Sequence, residues 1–201
     1  MIDVQAIAEL QRATVERWHG GQIDNPYEGF LALVCQQHEQ NYRLWHEEDQ
    51  ARSPDAGDAI IAGVKRRIDA LNQRRNDLIE KLDDALIAHL AEWGVRPRRA
   101  AKLNTETPGS VIDRLSILAL RIYHMAEQLA RRDASEEHRA KARSRLAVLA
   151  EQHRDLTIAL DQLWRDIFSG RKRMKVYRQF KMYNDPTLNP YLYGKSDKSA
   201  A

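Results

Sequence analysis

The stretch that decides the fold is AIIAGVKRRIDALNQRRNDLIEKLDDALIAHL, which occupies residues 59–90. Its apolar residues recur every three or four positions, the spacing that places side chains on one face of an α-helix. The stretch therefore predicts a long amphipathic helix. Its expected core stripe consists of Ile60, Ile61, Val64, Ile68, Leu71, Leu78, Leu82 and Leu86.

Four further segments predict helices, so we expect an all-α fold. They cover about residues 4–19, 30–52, 110–132 and 135–169, and the long helix covers about residues 58–93. Short stretches rich in Gly, Asn, Ser and Pro separate them. After the last helix, basic and aromatic residues alternate in a segment that we interpret as an extended strap on the bundle, with ligand contacts or polyanion binding as alternatives. We expect one domain over residues 1–194 and a disordered tail over residues 195–201.

The two helical hairpins resemble each other in sequence. At a fixed offset of 78 residues, 12 positions between residues 43 and 83 are identical to their counterparts. Arg43 and Arg121 form one such pair, and His46 and His124 form another. We interpret this as a duplication, which predicts a four-helix bundle built from two related hairpins plus an N-terminal helix.

The composition excludes several classes of protein. Hydrophobic residues make up 43% and charged residues 30% of the chain, as in soluble helix-rich proteins. The net charge of +3 is too small to indicate nucleic-acid binding by itself. One cysteine, Cys35, is consistent with a reducing compartment. We find no signal-peptide pattern and no apolar run long enough to span a membrane, and we therefore expect a cytoplasmic protein.

The second predicted helix turns polar residues toward its own apolar face. Phe30, Leu31 and Val34 mark that face. Six polar or aromatic residues share its arc at about 100° per residue, namely His38, Asn41, Trp45, Glu48, Asp49 and Arg52. Burying charge without a partner is costly, so the bundle is expected to contain a polar network, a ligand site, or both.

The long helix has the same property. Arg75 falls near the middle of its apolar face, with Asn72 close by, and the face is bordered on one side by Lys65, Asp69, Asn76 and Asp83. An arginine keeps its charge, so Arg75 needs a carboxylate or an anionic ligand, and Glu48 or Asp49 is the expected partner. Two interpretations stay open: a preorganised anion pocket, or a buried salt-bridge network that fixes helix register.

The fourth helix carries a polar sector composed of Asp113, Arg114, Arg121, His124 and Gln128. This sector is either a solvent strip or the part of the site that the second hairpin contributes. No Glu-x-x-His motif for a di-iron bundle and no zinc-protease motif is present. No metal ligand is assigned, and Mg²⁺ bound through Glu48, Asp49 and Asp69 stays open as an alternative.

Four motifs together resemble a bacterial family known only as a domain of unknown function. They are HEQNYRLWHEEDQAR (residues 38–52), KRRIDALNQRRNDLIEKLD (65–83), ETPGSVIDRLSILALRIYHM (106–125) and KVYRQFKMYNDPTLNP (175–190). Members of the family tend to be encoded among glycosyltransferases for lipopolysaccharide and other surface glycans. The resemblance implies a cytoplasmic role in envelope glycan assembly. Beyond the helical residues above, its motifs highlight Asp77, Glu106, Lys181, Asn184 and Asp185.

The functional hypothesis is a bundle that binds a phosphorylated or nucleotide-linked sugar, with a hydrolase or transferase activity as an extension of that hypothesis. Arg75, Lys65 and Lys181 would hold the anion, Glu48 or Asp49 would act as base or metal ligand, and His38 would shuttle a proton. The remaining expected ligand contacts are Asn41, Trp45, Arg52, Asp69, Asn72, Asn76, Arg114 and His124. The alternative is a non-enzymatic accessory protein for a glycosyltransferase, in which the interior charges are structural.

Overall fold

The computed structural model describes residues 2–180, 182 and 185–193. The fold is all-helical, as predicted, and no strand occurs in the described ranges. The helices are α1 (Val4–Gly20), α2 (Gly29–Ala51), α3 (Asp58–Glu92), α4 (Pro108–Ala130), α5 (Glu136–Phe168) and the short α6 (Pro190–Tyr193). The bounds of the five long helices agree with the predicted ones to within two residues. None of the described helices is both long enough and apolar enough to cross a bilayer.

Local chemistry explains where three of the helices begin. The side chain of Asp3 accepts a hydrogen bond from the backbone N–H of Ala6 at 3.0 Å and so caps α1. Ser135 caps α5 in the same way. At α4 the cap is Thr107, followed by Pro108 in the first turn, where a proline costs no hydrogen bond.

The long helices pack as two hairpins, α2 with α3 and α4 with α5. The central helix is α4, because it contacts each of the other four long helices. The N-terminal helix α1 packs on α4, α2 and α5, and it contributes fully buried residues such as Ile7 and Val15 to the main core. The relation of the two hairpins by duplication stays a prediction, since the packing itself does not test it.

The predicted core stripe of α3 begins too early. Ile60 is 57% exposed and Ile61 is 41% exposed, and the buried stripe starts at Val64. Both isoleucines lie in the first turn of α3, beside the connection from the end of α2. Val64, Ile68 and Leu71 form a second, smaller core cluster with Leu44 of α2.

The segment after α5 runs back over the bundle, as the strap interpretation predicted. The backbone N–H of Arg173 donates to the carbonyl of Lys102 at 2.9 Å, which ties the segment to the α3–α4 connection. Further along, Arg178 forms ion pairs at 2.9 Å with Glu80 and Asp84 on α3. The strap is therefore held by backbone pairing at its start and by charge pairing in its middle. The predicted disordered tail lies outside the described residues.

Candidate functional site

A buried ion pair joins the two hairpins. Arg75 of α3 donates to both carboxylate oxygens of Asp113 on α4, from Nε at 2.7 Å and from Nη2 at 2.5 Å. Two α2 side chains donate to the same Asp113 oxygen, Gln37 at 2.7 Å and Asn41 at 2.9 Å. The side chain of Asp113 is 6% exposed and that of Arg75 is 25% exposed. The pair thus has the bidentate geometry and the extra donors that a buried charge needs.

The network continues to His38. The amide of Asn41 also donates to the hydroxyl of Ser116 on α4 at 2.8 Å, and His38 Nδ1 lies 2.6 Å from the same oxygen. The ring of His38 stacks on Trp18 of α1, with 5.2 Å between centroids. Because the imidazole is completely buried, its pKa falls from 6.5 to about 3, so the ring is neutral at physiological pH.

The carboxylate that binds Arg75 is therefore not one of the predicted partners. Glu48 instead pairs with Arg52 one turn later on α2, at 2.8 Å, and Asp49 is exposed. The prediction failed because Glu48 and Asp49 lie in the last two turns of α2, whereas Asp113 lies on the inward side of α4. The interior charges of Arg75 and Asp113 thus pair with each other.

The other predicted residues of α3 lie at or near the surface. Lys65 forms an ion pair with Asp69 on the next turn, and both side chains are well exposed. Asn72 and Asn76 are half-buried. The possible magnesium ligands Glu48, Asp49 and Asp69 do not assemble into a site: among the described residues no group of three or more His, Cys, Asp or Glu side chains is placed to hold a metal ion.

An open groove runs along α4 and α5, and its first half contains two predicted residues. The indole of Trp45 and the imidazole of His124 are stacked there, 4.5 Å apart and nearly parallel at 6°. This half has a volume of about 590 Å³ and is lined by Trp45, Arg121, His124, Met125, Gln128, Ser144, Arg145, Val148, Leu149 and Gln152. It combines a polar aromatic wall, an apolar floor and two arginines.

The second half of the groove extends toward the start of α4. It has a volume of about 560 Å³ and is lined by Arg114, Ile117, Leu118, Arg121, Gln152, Asp155, Leu156 and Ala159. Arg121 and Gln152 line both halves, which makes them one continuous surface that we call the α4–α5 groove. Arg114 is paired with Glu106 at 2.6 Å. In the part of the chain that the structure describes, neither Arg121 nor Arg145 has an ion-pair partner.

Three histidines meet behind Trp45, and we call them the histidine cluster. His19 of α1 lies 5.2 Å from His46 of α2 and 5.0 Å from His124 of α4, between ring centroids. His46 and His124 are 6.0 Å apart. Tyr123 stacks on His19 at 4.1 Å. His46 in turn borders a second groove, of about 680 Å³, between α2 and α3.

A buried carboxylate holds the beginning of α4. Asp83 of α3 is 2% exposed and accepts a hydrogen bond from the backbone N–H of Gly109 at 2.7 Å. Burial raises the pKa of Asp83 from 3.8 to about 6, although hydrogen bonds from Thr107 and Gly109 lower it in part. The two helices approach closely here: a Cβ atom at Gly109 would lie 2.7 Å from the carbonyl oxygen of Ile79.

The structure thus separates most of the predicted site residues into three places. His38, Asn41 and Arg75 belong to the buried network; Glu48, Asp49, Arg52, Lys65 and Asp69 lie near the outer ends of α2 and α3; Trp45, Arg114 and His124 line the groove. Lys181 and Asn184 lie outside the described residues, and Asp185 caps a turn of the strap through Thr187. Arg145, Gln152 and Arg121 complete the groove, and the signal for them was the polar residues on otherwise apolar helix faces.

The architecture defines an all-helical bundle protein whose two hairpins are joined by a buried arginine–aspartate pair and whose outer face carries an arginine-lined groove. The chain belongs to the family described as protein of unknown function (DUF4254), whose model matches residues 31–176. The predicted family resemblance is confirmed at that level, and its setting among glycosyltransferases stays a prediction. No curated protein and no solved structure matches the chain. The matched range begins after α1, although α1 supplies part of the core.

Proposed function

We propose that the protein binds a phosphorylated or nucleotide-linked sugar in the α4–α5 groove, as part of bacterial envelope glycan assembly. The observation that carries the proposal is the combination, on one open surface, of a stacked Trp45–His124 pair and two guanidinium groups without ion-pair partners in the described chain. The groove replaces the interior of the bundle as the ligand site, because the interior charges bind each other.

The groove chemistry suits such a ligand. The planar guanidinium groups of Arg121 and Arg145 present parallel N–H donors that match phosphate oxygens. They come from different helices, so a phosphate between them contacts both hairpin arms. The aromatic face of Trp45 provides a surface on which a sugar ring or a base packs, and Gln152 offers both a donor and an acceptor for hydroxyl groups.

The length of the groove favours an extended ligand. Arg114 and Arg121 are two turns apart on α4, which corresponds to about 10 Å along the axis. A ligand whose phosphates lie at Arg121 therefore has room on both sides, toward Trp45 and toward Asp155. A nucleotide-linked sugar has this shape, with an anionic centre between two uncharged ends.

A second candidate function is that of a non-enzymatic accessory protein for a glycosyltransferase. The self-contained network of Arg75, Asp113, Gln37 and Asn41 favours it, since these charges are accounted for without a ligand. Several aromatic side chains of the strap are also open to a partner: Phe180 is 84% exposed and Tyr191 is 85% exposed.

A thermal-shift screen against nucleotides, nucleotide sugars and sugar phosphates, each with and without Mg²⁺, tests the first candidate. A ligand at about 100 times its Kd stabilises the folded state by about 2.7 kcal/mol, which gives a clear shift. Arg121→Ala and Arg145→Ala are expected to weaken binding at least about tenfold each, the loss of one charge-assisted hydrogen bond. Arg74→Ala is the matched control, since Arg74 is an exposed arginine of α3 outside this groove.

The outcomes separate the candidates. Binding that depends on Arg121 and Arg145 but not on Arg74 supports the groove. Binding that survives Arg121→Ala and Arg145→Ala but disappears in a folded Arg75→Met variant places the site in the interior, as the sequence predicted. If no compound in the panel shifts the melting temperature, the ligand proposal is wrong and the accessory function is tested next, by co-purification with a glycosyltransferase.

A further inference from the structure

The histidine cluster and the α4–α5 groove share a residue. The ring of His124 stacks on Trp45 at the groove, and the other two histidines lie behind it. His19 comes from α1 and His46 from α2, so three helices meet at these rings. A charge on the cluster therefore lies close enough to a ligand that packs against Trp45 to interact with it electrostatically.

Two hydrogen bonds determine where the neutral rings carry their protons. His19 Nδ1 lies 2.7 Å from the carbonyl oxygen of Val15, which can only accept, so this nitrogen donates. His124 Nδ1 lies 2.7 Å from a carboxylate oxygen of Glu127 and donates for the same reason. Each of these two neutral rings therefore presents a lone pair, not a proton, at Nε2.

The Nε2 atoms of His19, His46 and His124 are all buried without a hydrogen-bond partner in the part of the chain that the structure describes. A buried acceptor without a donor costs free energy. One added proton converts an acceptor of the cluster into a donor and lowers this cost.

A second proton is opposed by the first. Ring centroids 5.0 to 6.0 Å apart bring two imidazolium charges close together in a partly buried place. His46 shows this effect, because burial and then the charges of His19 and His124 lower its pKa. Because of this repulsion, we expect the cluster to bind one additional proton and not two.

The groups around the cluster have charges of both signs. The carboxylates of Asp49 on α2 and Glu127 on α4 partly offset the lowering of the His46 pKa. Burial raises the pKa of the neighbouring Tyr123, and the charges of Glu127 and of Glu16 on α1 raise it further. On the groove side stand Arg121 of α4 and Arg145 of α5. An anion bound between these arginines places negative charge beside the ring of His124, and a nearby negative charge favours the protonated form of an imidazole.

We propose that an anionic ligand of the α4–α5 groove binds together with one proton, which the histidine cluster takes up from the solvent. The inference rests on the proposed function and adds a property to it: the complex with the anion carries one more proton than the free protein. Because linkage is reciprocal, uptake of a proton with the anion means that the affinity for the anion falls as the pH rises.

The test is isothermal titration calorimetry of the full chain with UDP-glucose, in buffers of different ionisation enthalpy. The diphosphate of UDP-glucose has no terminal phosphate, so it lacks the second phosphate ionisation near pH 6 and any proton taken up is bound by the protein. At pH ~7.5 we expect binding to take up about one proton per chain. The Kd for UDP-glucose should rise by up to about tenfold per pH unit between about pH 7 and 8. His124→Gln should abolish the uptake.

Two further variants strengthen the test. His46→Gln removes a cluster histidine that does not line the groove, and it should reduce the uptake even if His124→Gln fails to fold. His138→Gln is the control, since His138 is an exposed histidine in the first turn of α5. UDP-glucose binding without proton uptake, or with uptake that survives both cluster variants, overturns this inference and leaves the proposed function standing. A lack of UDP-glucose binding at every pH overturns this inference, and the panel of nucleotides, nucleotide sugars and sugar phosphates then decides whether the proposed function stands.

Discussion

Replacing Arg75 by Met tests whether the buried network holds the two hairpins together. The change removes a guanidinium group that donates to both oxygens of Asp113, and it keeps most of the apolar volume of the side chain. Breaking a fully buried ion pair by removing one partner costs about 3–5 kcal/mol. Here the cost is smaller, because Arg75 is 25% exposed and Asp113 keeps the amide donors of Gln37 and Asn41. We expect the free energy of unfolding to fall by about 2–3 kcal/mol.

Urea denaturation followed by circular dichroism measures this loss, and a double-mutant cycle assigns it. Arg75→Met, Asp113→Asn and the double variant should be non-additive by at least about 1 kcal/mol, since the second change removes the charge that the first leaves unpaired. Arg74→Met, one position away on the exposed side, should change stability by less than about 0.5 kcal/mol. If Arg75→Met costs no more than Arg74→Met, the network does not stabilise the fold and the reasoning is refuted.

Three further predictions concern the contacts of α3. Burial raises the pKa of Asp83 to about 6 in the folded protein, so the protonated form contributes to the free energy of unfolding, and this contribution is lost as the pH rises through about 6. Asp83→Asn should therefore remove up to about 3 kcal/mol of the pH dependence of the free energy of unfolding between about pH 4 and 7, measured in urea titrations. An unchanged pH dependence in this variant would contradict the prediction. Gly109→Ala should cost about 1–3 kcal/mol, because its Cβ meets the carbonyl of Ile79 at 2.7 Å, whereas Gly63→Ala, with its nearest neighbour at 3.5 Å, should stabilise by up to about 1 kcal/mol in the same thermal melts. Arg178→Ala should leave global stability within about 1 kcal/mol but speed limited proteolysis of the strap, since its ion pairs are exposed; equal cleavage rates would show that the strap is held by other contacts.

The sequence was sufficient for the helices and for most of their buried faces. Periodicity places apolar residues on one side without reference to any other helix, so the stripe from Val64 to Leu86 could be read directly. It also identified His38, Asn41 and Arg75 as inward-facing, and the structure confirms that each is buried or partly buried. The first turn of α3 was misread because periodicity continues past the point where a neighbouring helix covers it.

The partner of Arg75 could not be predicted in the same way. The sequence predicts Glu48 and Asp49 as partners because α2 and α3 form a hairpin, and this connection alone brings the two helices side by side. The true partner, Asp113, lies on the other hairpin, 38 residues from Arg75. The contacts between hairpins depend on the translation of α4 along its axis and on its rotation about that axis. Neither quantity can be predicted from the periodicity of a single helix.

The position of Asp113 also connects the buried network to the groove. Asp113 and Ser116 both bind α2 side chains and thereby fix the rotation of α4 about its axis. At about 100° per residue, Arg114 and Arg121 fall about 100° and 80° around the helix from Asp113 and so face outward, and His124 falls about 20° from it, between core and groove. A rotation of α4 that weakened the network would therefore turn the arginines of the groove away from Arg145. On this argument the ion pair of Arg75 and Asp113 sets the direction in which α4 presents the arginines of the groove.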